Sequence, residues 1–190
     1  MKRVEIIYGG ASNEKEISYL TAKSIYEHID TDLYNPGLTD LSKFDPDNFD
    51  NETIFFIAVH GEGGVDGKIQ TQLENKKRKF TGSSSESCIL TWDKVATKRA
   101  LIANDILTPQ FKSIKKNEHF DFNDSFFAEN EHYFVKPNFN GSSYGISKVS
   151  DKKFNEALKE AKNYSTEVII EKSFNGPEYT VALLKGKPLT

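Results

Sequence analysis

The chain has 190 residues, which is enough for one large domain or two small ones. Its 25 basic and 28 acidic side chains give a formal charge of −3, which argues against a general nucleic-acid-binding surface. Hydrophobic residues make up 37% of the chain and include 14 Phe and 8 Tyr, so the composition argues against a disordered protein. A single cysteine, no signal-peptide pattern after Met1 and no apolar stretch of membrane-spanning length predict a cytoplasmic protein without disulfides or a membrane partner.

The N-terminal residues predict a buried strand followed by a helix. Residues 4–8 have the pattern of a buried strand, a glycine pair ends the run, and Ser12 or Asn13 can cap the helix that follows. The apolar positions of this helix fall on one face, and they are Ile17, Leu20, Ile25 and Ile29.

A second strand and helix follow the first pair. Residues 53–59 are apolar without alternation, which is typical of a strand covered on both sides. A glycine-rich turn, residues 60–67, leads from it into a helix that carries Ile69 and Leu73. The repeated order of strand, glycine-rich turn and helix predicts a doubly wound α/β unit up to about Ser84.

The second half of the chain predicts a mixed unit. Residues 92–102 read as one helix, and residues 112–132 as a strand and a surface loop. A helix capped at Ser150 or Asp151 and a strand at 168–170 come later. The face of this later helix consists of Phe154, Ala157, Leu158 and Ala161. Another strand is predicted over 179–184, with a hairpin turn at 185–186.

The most informative segment is residues 133–149. An apolar strand delivers Lys136, Pro137 stops its ladder, and the Gly-Ser-Ser-x-Gly loop at 141–145 precedes a second β-rich run, 146–149. Glycines allow positive φ and close approach of the backbone to a ligand, while the N–H groups and hydroxyls between them can surround an anion. With the adjacent lysine, the segment predicts a polyphosphate site that is neither a Walker loop nor a dinucleotide loop.

Other candidate residues have ordinary interpretations when each is taken alone. The glycines of residues 61–67 have the wrong spacing for a dinucleotide fingerprint, so that interpretation is the weaker one. His60 follows a strand, where ligands bind in open α/β sheets, but a packed or solvated histidine is as well supported. Glu14 fits the first turn of a helix, and Lys94 and Lys98 fit a solvated helix face. A solvated strand end is the ordinary interpretation of Glu171, and a loop carboxylate that of Glu178.

Taken together, the motifs resemble those of the D-alanine–D-alanine ligase family in the ATP-grasp superfamily. The matching segments, in the family's order and spacing, are residues 8–18, 59–74, 80–83, 92–98, 134–145 and 170–178. The resemblance implies an N-terminal doubly wound parallel-sheet (pre-ATP-grasp) domain at 1–84. It also implies a central α+β ATP-grasp subdomain at 85–172 and the start of a C-terminal ATP-grasp subdomain at 173–190, which leaves the third domain incomplete.

The same resemblance implies a nucleotide site. Lys94 and Lys136 would neutralise the phosphates of ATP. The loop residues Gly141, Ser142, Ser143 and Gly145 would close over the transferred phosphoryl group. The strip against the adenine would be Glu171, Lys172 and Phe174, and Glu178 would bind the ribose hydroxyls.

For the amino-acid substrate, the resemblance implies that Glu14 and Ser142 act in catalysis. Glu14 would hold the ammonium of the first D-alanine, Ser142 would be hydrogen-bonded to Glu14, and His60 would lie near the carboxylate of that substrate. Two positions depart from the family: Val65 replaces a usual acidic residue, and Trp92 replaces a common methionine.

The implied reaction activates the carboxylate of one D-alanine as an acyl phosphate, which the amine of a second D-alanine attacks, for peptidoglycan precursor synthesis. The family's Mg²⁺ ligands would lie beyond residue 190, so we expect no metal ligands in this chain and no ligation by it alone. A homodimer through the N-terminal domain is also implied. Two alternatives stay open: a D-alanine–D-lactate type ligase, and a non-catalytic shortened paralogue that acts through its dimer surface.

Overall fold

A computed structural model describes residues 1–118, 125–127, 132–150, 153–184 and 186–189. The strands are β1 (Lys2–Tyr8), β2 (Tyr34–Asp40), β3 (Ile54–Ile57), β4 (Lys79–Phe80), β5 (Phe111–Lys115), β6 (Tyr133–Pro137), β7 (Ser147–Val149), β8 (Glu167–Lys172), β9 (Leu183–Leu184) and β10 (Lys187–Pro188). The α-helices are α1 (Lys15–His28), α2 (Lys68–Asn75), α3 (Ser85–Trp92), α4 (Lys94–Ala103) and α5 (Phe154–Ala161), and 3-10 turns lie at Leu41–Lys43, Pro46–Asn48 and Ser125–Phe127. None of the helices in the described ranges is both long and apolar enough to cross a membrane.

The first sheet is parallel and has the order β2-β1-β3-β4. Successive residues of β1 point to opposite faces, so Ile6 packs with Ala22 of α1 while Ile7 packs with Leu73 of α2. Both faces of the sheet are therefore covered by helices. This arrangement confirms the predicted doubly wound α/β unit.

The contacts of α1 differ from the predicted ones. The helix begins at Lys15 with Glu14 as its N-cap and without a side-chain cap, so the predicted capping by Ser12 or Asn13 was wrong. Ser18 and Ala22 are fully buried, whereas Ile17 and Leu20 are each 53% exposed. The Ser18 hydroxyl accepts from Gly9 N–H and donates to Ala58 O at 2.8 Å each, which keeps the helix close to the sheet through its small residues.

Two helices, not one, connect the two sheets. Asp93 ends α3 and also caps α4, where its side chain accepts from Ala96 N–H at 2.8 Å. The helix predicted over 92–102 therefore begins at Lys94, two residues later than predicted, because Trp92 is the last residue of the preceding helix. The helix over 85–92 was not predicted, although Ser84 caps it through Ser87 N–H.

The second sheet is antiparallel and has the order β5-β8-β6-β7. One face packs on α5, whose Phe154 and Ala161 are fully buried among β-strand residues that include Tyr133 and Val168. Pro137 ends β6 and is its last residue in register with β8, opposite Val168, whereas the pairing with β7 already ends at Val135. The fold class, α/β with a parallel sheet followed by a mixed α+β unit, is confirmed.

Smaller differences occur at the ends of elements. Lys153 is the N-cap of α5, so Ser150 does not cap it, and Asp151 lies outside the described residues. The last predicted strand, 179–184, is short: only 183–184 pair, antiparallel with 187–188. Lys185 of the predicted hairpin turn lies outside the described residues. The boundaries proposed at 84/85 and 172/173 remain predictions.

Candidate functional site

Three lysines surround one carboxylate where α4 meets the second sheet, and we call Lys94, Lys98, Lys136 and Glu171 the lysine cluster. Glu171 lies on β8, next to β6, which carries Lys136. The Lys136 Nζ lies 2.5 Å from Glu171 Oε2, and the Lys98 Nζ lies 3.1 Å from Glu171 Oε1. Each oxygen of the carboxylate therefore has its own ammonium partner.

Lys98 is a structural member of this cluster and not part of a solvated face. It is only 5% exposed and projects from α4 on the same side as the buried Val95. Besides the ion pair, its ammonium donates to Thr108 Oγ1 at 2.7 Å and to Pro109 O at 3.0 Å. The prediction of a solvated face was wrong for Lys98, because that face of α4 packs against the second sheet.

Lys94 is held by neutral groups. Its ammonium donates to Asn140 O at 2.8 Å and to Asn138 O at 3.3 Å, both just before the glycine-serine loop. Burial lowers the pKa of Lys94, and the nearby charge of Lys136 lowers it further against the opposing effect of Glu171. Two lysines predicted to act together, Lys94 and Lys136, are thus close enough to influence one another.

Glu171 remains an anion in spite of its burial. Burial raises the pKa of this carboxyl, but its hydrogen bonds and ion pairs with Lys136 and Lys98 outweigh that effect and lower the pKa below its usual value. With three ammonium groups and one carboxylate, the cluster has an excess of positive charge, which is what binding an anion requires.

Asn138 connects the lysine cluster to the start of α4, and sequence reasoning did not identify it. The side chain is fully buried; its Oδ1 accepts from Val95 N–H at 2.9 Å, and its Nδ2 donates to Asp93 Oδ1 at 3.0 Å. A second donation reaches Glu167 Oε2 at 3.2 Å. These bonds fix the first turn of α4 against β6 and β8, which is why Lys94 lies beside the loop.

The glycine-serine loop has one of its two predicted positive-φ glycines. Gly145 has φ of 72°, but the other left-handed residue of the loop is Ser142, with φ of 57°, and not Gly141. Gly141 serves a different need: an added Cβ would lie 2.7 Å from Glu14 Oε2. The loop backbone therefore contacts the carboxylate of Glu14, while Ser142 and Ser143 are exposed.

We call Ser12, Glu14, Thr21, His60 and Gly61 the Glu14 corner. The Ser12 hydroxyl accepts from Glu14 N–H at 3.2 Å and donates to His60 O at 2.9 Å. The His60 Nε2 lies 3.0 Å from Thr21 Oγ1. A Cβ on Gly61 would lie 2.9 Å from Glu14 Oε2, so glycine backbone borders this carboxylate on two sides, at residues 61 and 141.

An open cleft of about 180 Å³ adjoins the Glu14 corner. Its walls include Ser12, Glu14, Trp92, Asn140 and Tyr144, so it lies between the first unit and the loop of the second. The structure thus brings Glu14, His60 and the loop together. No hydrogen bond joins Ser142 to Glu14 within the described ranges, so that predicted contact is not made.

The other residues predicted for the nucleotide site are Lys172, Phe174 and Glu178. Phe174 is 70% exposed and Glu178 is exposed, and neither makes a side-chain hydrogen bond or ion pair with another described residue. The Lys172 ammonium lies 5.5 Å from the centre of the Phe126 ring. Over the same ranges, no group of three or more His, Cys, Asp or Glu side chains is arranged to hold a metal ion.

Comparison with known proteins identifies relatives along nearly the whole chain. A family profile described as the D-ala D-ala ligase C-terminus matches residues 101–190. The D-alanine–D-alanine ligase of Marinomonas sp. (strain MWYL1) is 34% identical over 194 residues, which cover 95% of this chain and 59% of that protein. The ligase of Vesicomyosocius okutanii subsp. Calyptogena okutanii (strain HA) is 37% identical over 193 residues, covering 98% and 63%.

Solved structures agree with the sequence relatives. The crystal structure of D-alanine–D-alanine ligase from Bacillus anthracis complexed with ATP superposes with a TM-score of 0.82 at 27% identity, covering 93% of this chain and 60% of that chain. The chain spans about three fifths of the length of the relatives it matches. By sequence and by fold, the chain belongs to the D-alanine–D-alanine ligase family.

Proposed function

We propose that the protein joins two D-alanine molecules at the expense of ATP, through a D-alanyl phosphate, for peptidoglycan precursor synthesis in the cytoplasm. One observation carries the proposal: a cluster with excess positive charge and a small cleft bordered by a carboxylate lie on either side of the same glycine-serine loop. A polyphosphate fits the first feature and an amino acid fits the second.

For the nucleotide, Lys94 and Lys136 neutralise the phosphates and residues 141–145 close over the transferred phosphoryl group. The proposal is supported by Lys94, whose ammonium donates to Asn138 O and Asn140 O and contacts no carboxylate of the described residues directly. Glu171, Lys172 and Phe174 lie against the adenine, and Glu178 binds the ribose. Excess cationic charge in a partly buried site is worth more than in water, which favours a triphosphate.

For the first D-alanine, the Glu14 carboxylate receives the ammonium group and His60 lies near the carboxylate of the substrate. A cleft of about 180 Å³ that is lined by Glu14 admits a small amino acid, and glycine backbone at residues 61 and 141 leaves room beside this carboxylate. Ser142 follows Gly141, which borders Glu14, so we expect the Ser142 side chain to contact the substrate when the loop closes.

The reaction has two chemical stages. A carboxylate oxygen of the first D-alanine attacks the γ-phosphorus of ATP, the bond to ADP breaks, and an acyl phosphate forms. The amine of the second D-alanine then attacks the acyl carbon, loses a proton, and the tetrahedral intermediate expels phosphate. Positioning of the reactants and neutralisation of the phosphate charge account for the catalysis of such a site. Bound Mg²⁺ neutralises phosphate charge, and we expect its ligands outside residues 1–190.

Phosphate release tests the proposal. The product of the complete reading frame, incubated with ATP, Mg²⁺ and D-alanine, is expected to release phosphate and form the D-alanyl dipeptide, and L-alanine should not replace D-alanine. In parallel reactions, use of D-lactate in place of the second D-alanine would identify the D-alanine–D-lactate type of ligase. The 190-residue chain should show no turnover; a complete product that binds ATP but ligates nothing would favour the non-catalytic alternative.

We also propose a homodimer through the N-terminal unit. The proposal is supported by exposed apolar side chains on α1: Ile17 and Leu20, both 53% exposed, with Tyr19 and Tyr26. Contiguous exposed apolar residues mark interaction surfaces. Replacing Leu20 by Lys should convert a dimer to a monomer in sedimentation, with the exposed Lys23→Glu as control; a protein that is monomeric without substitution would contradict the proposal.

A further inference from the structure

The two ion pairs of Glu171 differ in accessibility. The Lys98 side chain is 7% exposed and the Lys136 side chain 24%, while the Glu171 side chain between them is 12% exposed. Lys98 is also bound to Thr108 and Pro109, which fix it on the inner side of the carboxylate. Lys136 is thus the lysine of this pair that a ligand can reach.

A lysine that serves both Glu171 and a phosphate faces a conflict. When Lys136 turns to a phosphate, its bond to Glu171 weakens, and a buried carboxylate without a counter-ion is strongly unfavourable. Lys94 acts on Glu171 only at longer range, since its own hydrogen bonds go to backbone carbonyls. The residues across from Glu171 on the neighbouring strands, Phe111 and Phe134, are uncharged.

We propose that Lys98 is a positioning residue: it keeps Glu171 paired on one oxygen, so that Lys136 can exchange its bond to the other oxygen for a bond to a nucleotide phosphate. The inference rests on the proposed function, because it takes the phosphate chain of ATP as the second partner of Lys136. Lys98 itself does not touch the nucleotide. Its effect on binding passes through Glu171.

The consequence of removing Lys98 has a defined sign. In Lys98→Met, Lys136 is the one direct counter-ion that Glu171 keeps among the described residues of the free protein. When ATP recruits Lys136, the unpaired carboxylate binds a proton in place of the ammonium. ATP affinity then improves as pH falls, and proton uptake accompanies binding, whereas the unsubstituted protein keeps Glu171 ionised in both states.

Isothermal titration calorimetry with MgATP tests this in the product of the complete reading frame. Titrations at pH 8 and pH 6, each in two buffers of different ionisation enthalpy, give the affinity and the protons taken up per ATP. We expect Lys98→Met to weaken binding about tenfold at pH 8, less at pH 6, with additional proton uptake. Lys98→Arg, which keeps the charge, should bind within about threefold of the unsubstituted protein.

A double substitution separates this role from simple support of the fold. In a Glu171→Gln background there is no charge left to pair, so adding Lys98→Met should change ATP affinity by less than about threefold. Thermal denaturation establishes that each variant is folded; if Lys98→Met is not, Lys98→Gln, which can still donate to Thr108 and Pro109, takes its place.

The outcomes are distinct. Equal affinity and equal proton uptake in Lys98→Met and the unsubstituted protein overturn the inference alone, as does the same loss of affinity in both backgrounds. Failure of the unsubstituted protein to bind MgATP overturns the proposed function, and the inference with it.

Discussion

The lysine cluster and the Glu14 corner hold their charged groups by different means. In the lysine cluster, Glu171 is fixed by other charges, at 2.5 and 3.1 Å from two ammonium groups. In the Glu14 corner, the carboxylate is bordered by glycine backbone and by a serine that links two loops. The first region depends on charge balance and the second on available space, so we expect substitutions to affect them differently.

The largest effect should come from removing a charge that the cluster shares with a ligand. Lys136→Met deletes a phosphate partner and leaves Glu171 with Lys98 as its one ion-pair partner in the described ranges, so we expect ATP affinity to fall about 100-fold or more. Fluorescence or calorimetric titration with ATP measures it. Lys159→Met, on the exposed face of α5, is the matched control. If ATP affinity fell by less than threefold in Lys136→Met, this lysine would not be a phosphate ligand.

Neutralising the carboxylate of the other region should affect the amino acid and spare the nucleotide. Glu14→Gln keeps the shape of the side chain but loses its charge, so the KM for the first D-alanine should rise about 30-fold, as expected for a lost charge-assisted hydrogen bond. ATP affinity should stay within about twofold. Glu16→Gln, at an exposed position two residues further along the chain, is the control. Parallel losses of both ligands would show that the two regions act as one unit.

A smaller effect is expected from reducing the space around Glu14. In Gly141→Ala the new Cβ would lie 2.7 Å from Glu14 Oε2, the end of a flexible side chain, which must therefore shift. We expect a rise of about fivefold in the KM for D-alanine and little change in thermal stability. Gly176→Ala provides the control, since a Cβ there meets nothing within 4 Å. Unchanged kinetics in Gly141→Ala would mean that space does not limit this corner.

The contrast between the regions also explains what the sequence could predict. The strand carrying Lys136, the loop at 141–145 and the turn after His60 are local patterns, and each forms where expected. The burial of Lys98 and Asn138 was not predicted, because it depends on how α4 packs against β6 and β8, and no local sequence pattern indicates that packing. A charged residue is buried only when partners compensate its charge, and the partners of Lys98 lie on other elements. The local pattern of α4 therefore indicated a solvated lysine.

The face of α1 was mistaken for a related reason. The hydrophobic pattern placed Ile17 and Leu20 on the buried face of the helix. The position of the helix is instead set by Ser18, whose hydroxyl accepts from Gly9 N–H and donates to Ala58 O. A small polar residue that bonds to two strand ends overrides the larger apolar side chains beside it. The N-cap prediction was wrong at the same turn, because the Ser12 hydroxyl is used by Glu14 and His60 in the corner and not by the helix.

The smallest predicted effect concerns acid stability, where the charge balance of the lysine cluster should be visible without any ligand. Because Lys136 and Lys98 lower the pKa of Glu171 below its ordinary value of 4.5, despite the opposing effect of burial, the ionised form favours the folded state. This contribution is fully present above pH 4.5 and is lost as pH falls below that value through the lower pKa of the folded protein. Urea denaturation of the unsubstituted protein and of Glu171→Gln between pH 7 and pH 3 measures it. The difference in unfolding free energy should shrink only on the acid side, and exposed Glu156→Gln should show no such trend. A difference independent of pH would mean that Glu171 stabilises the sheet by its shape and hydrogen bonds, not by the charge that the two lysines share.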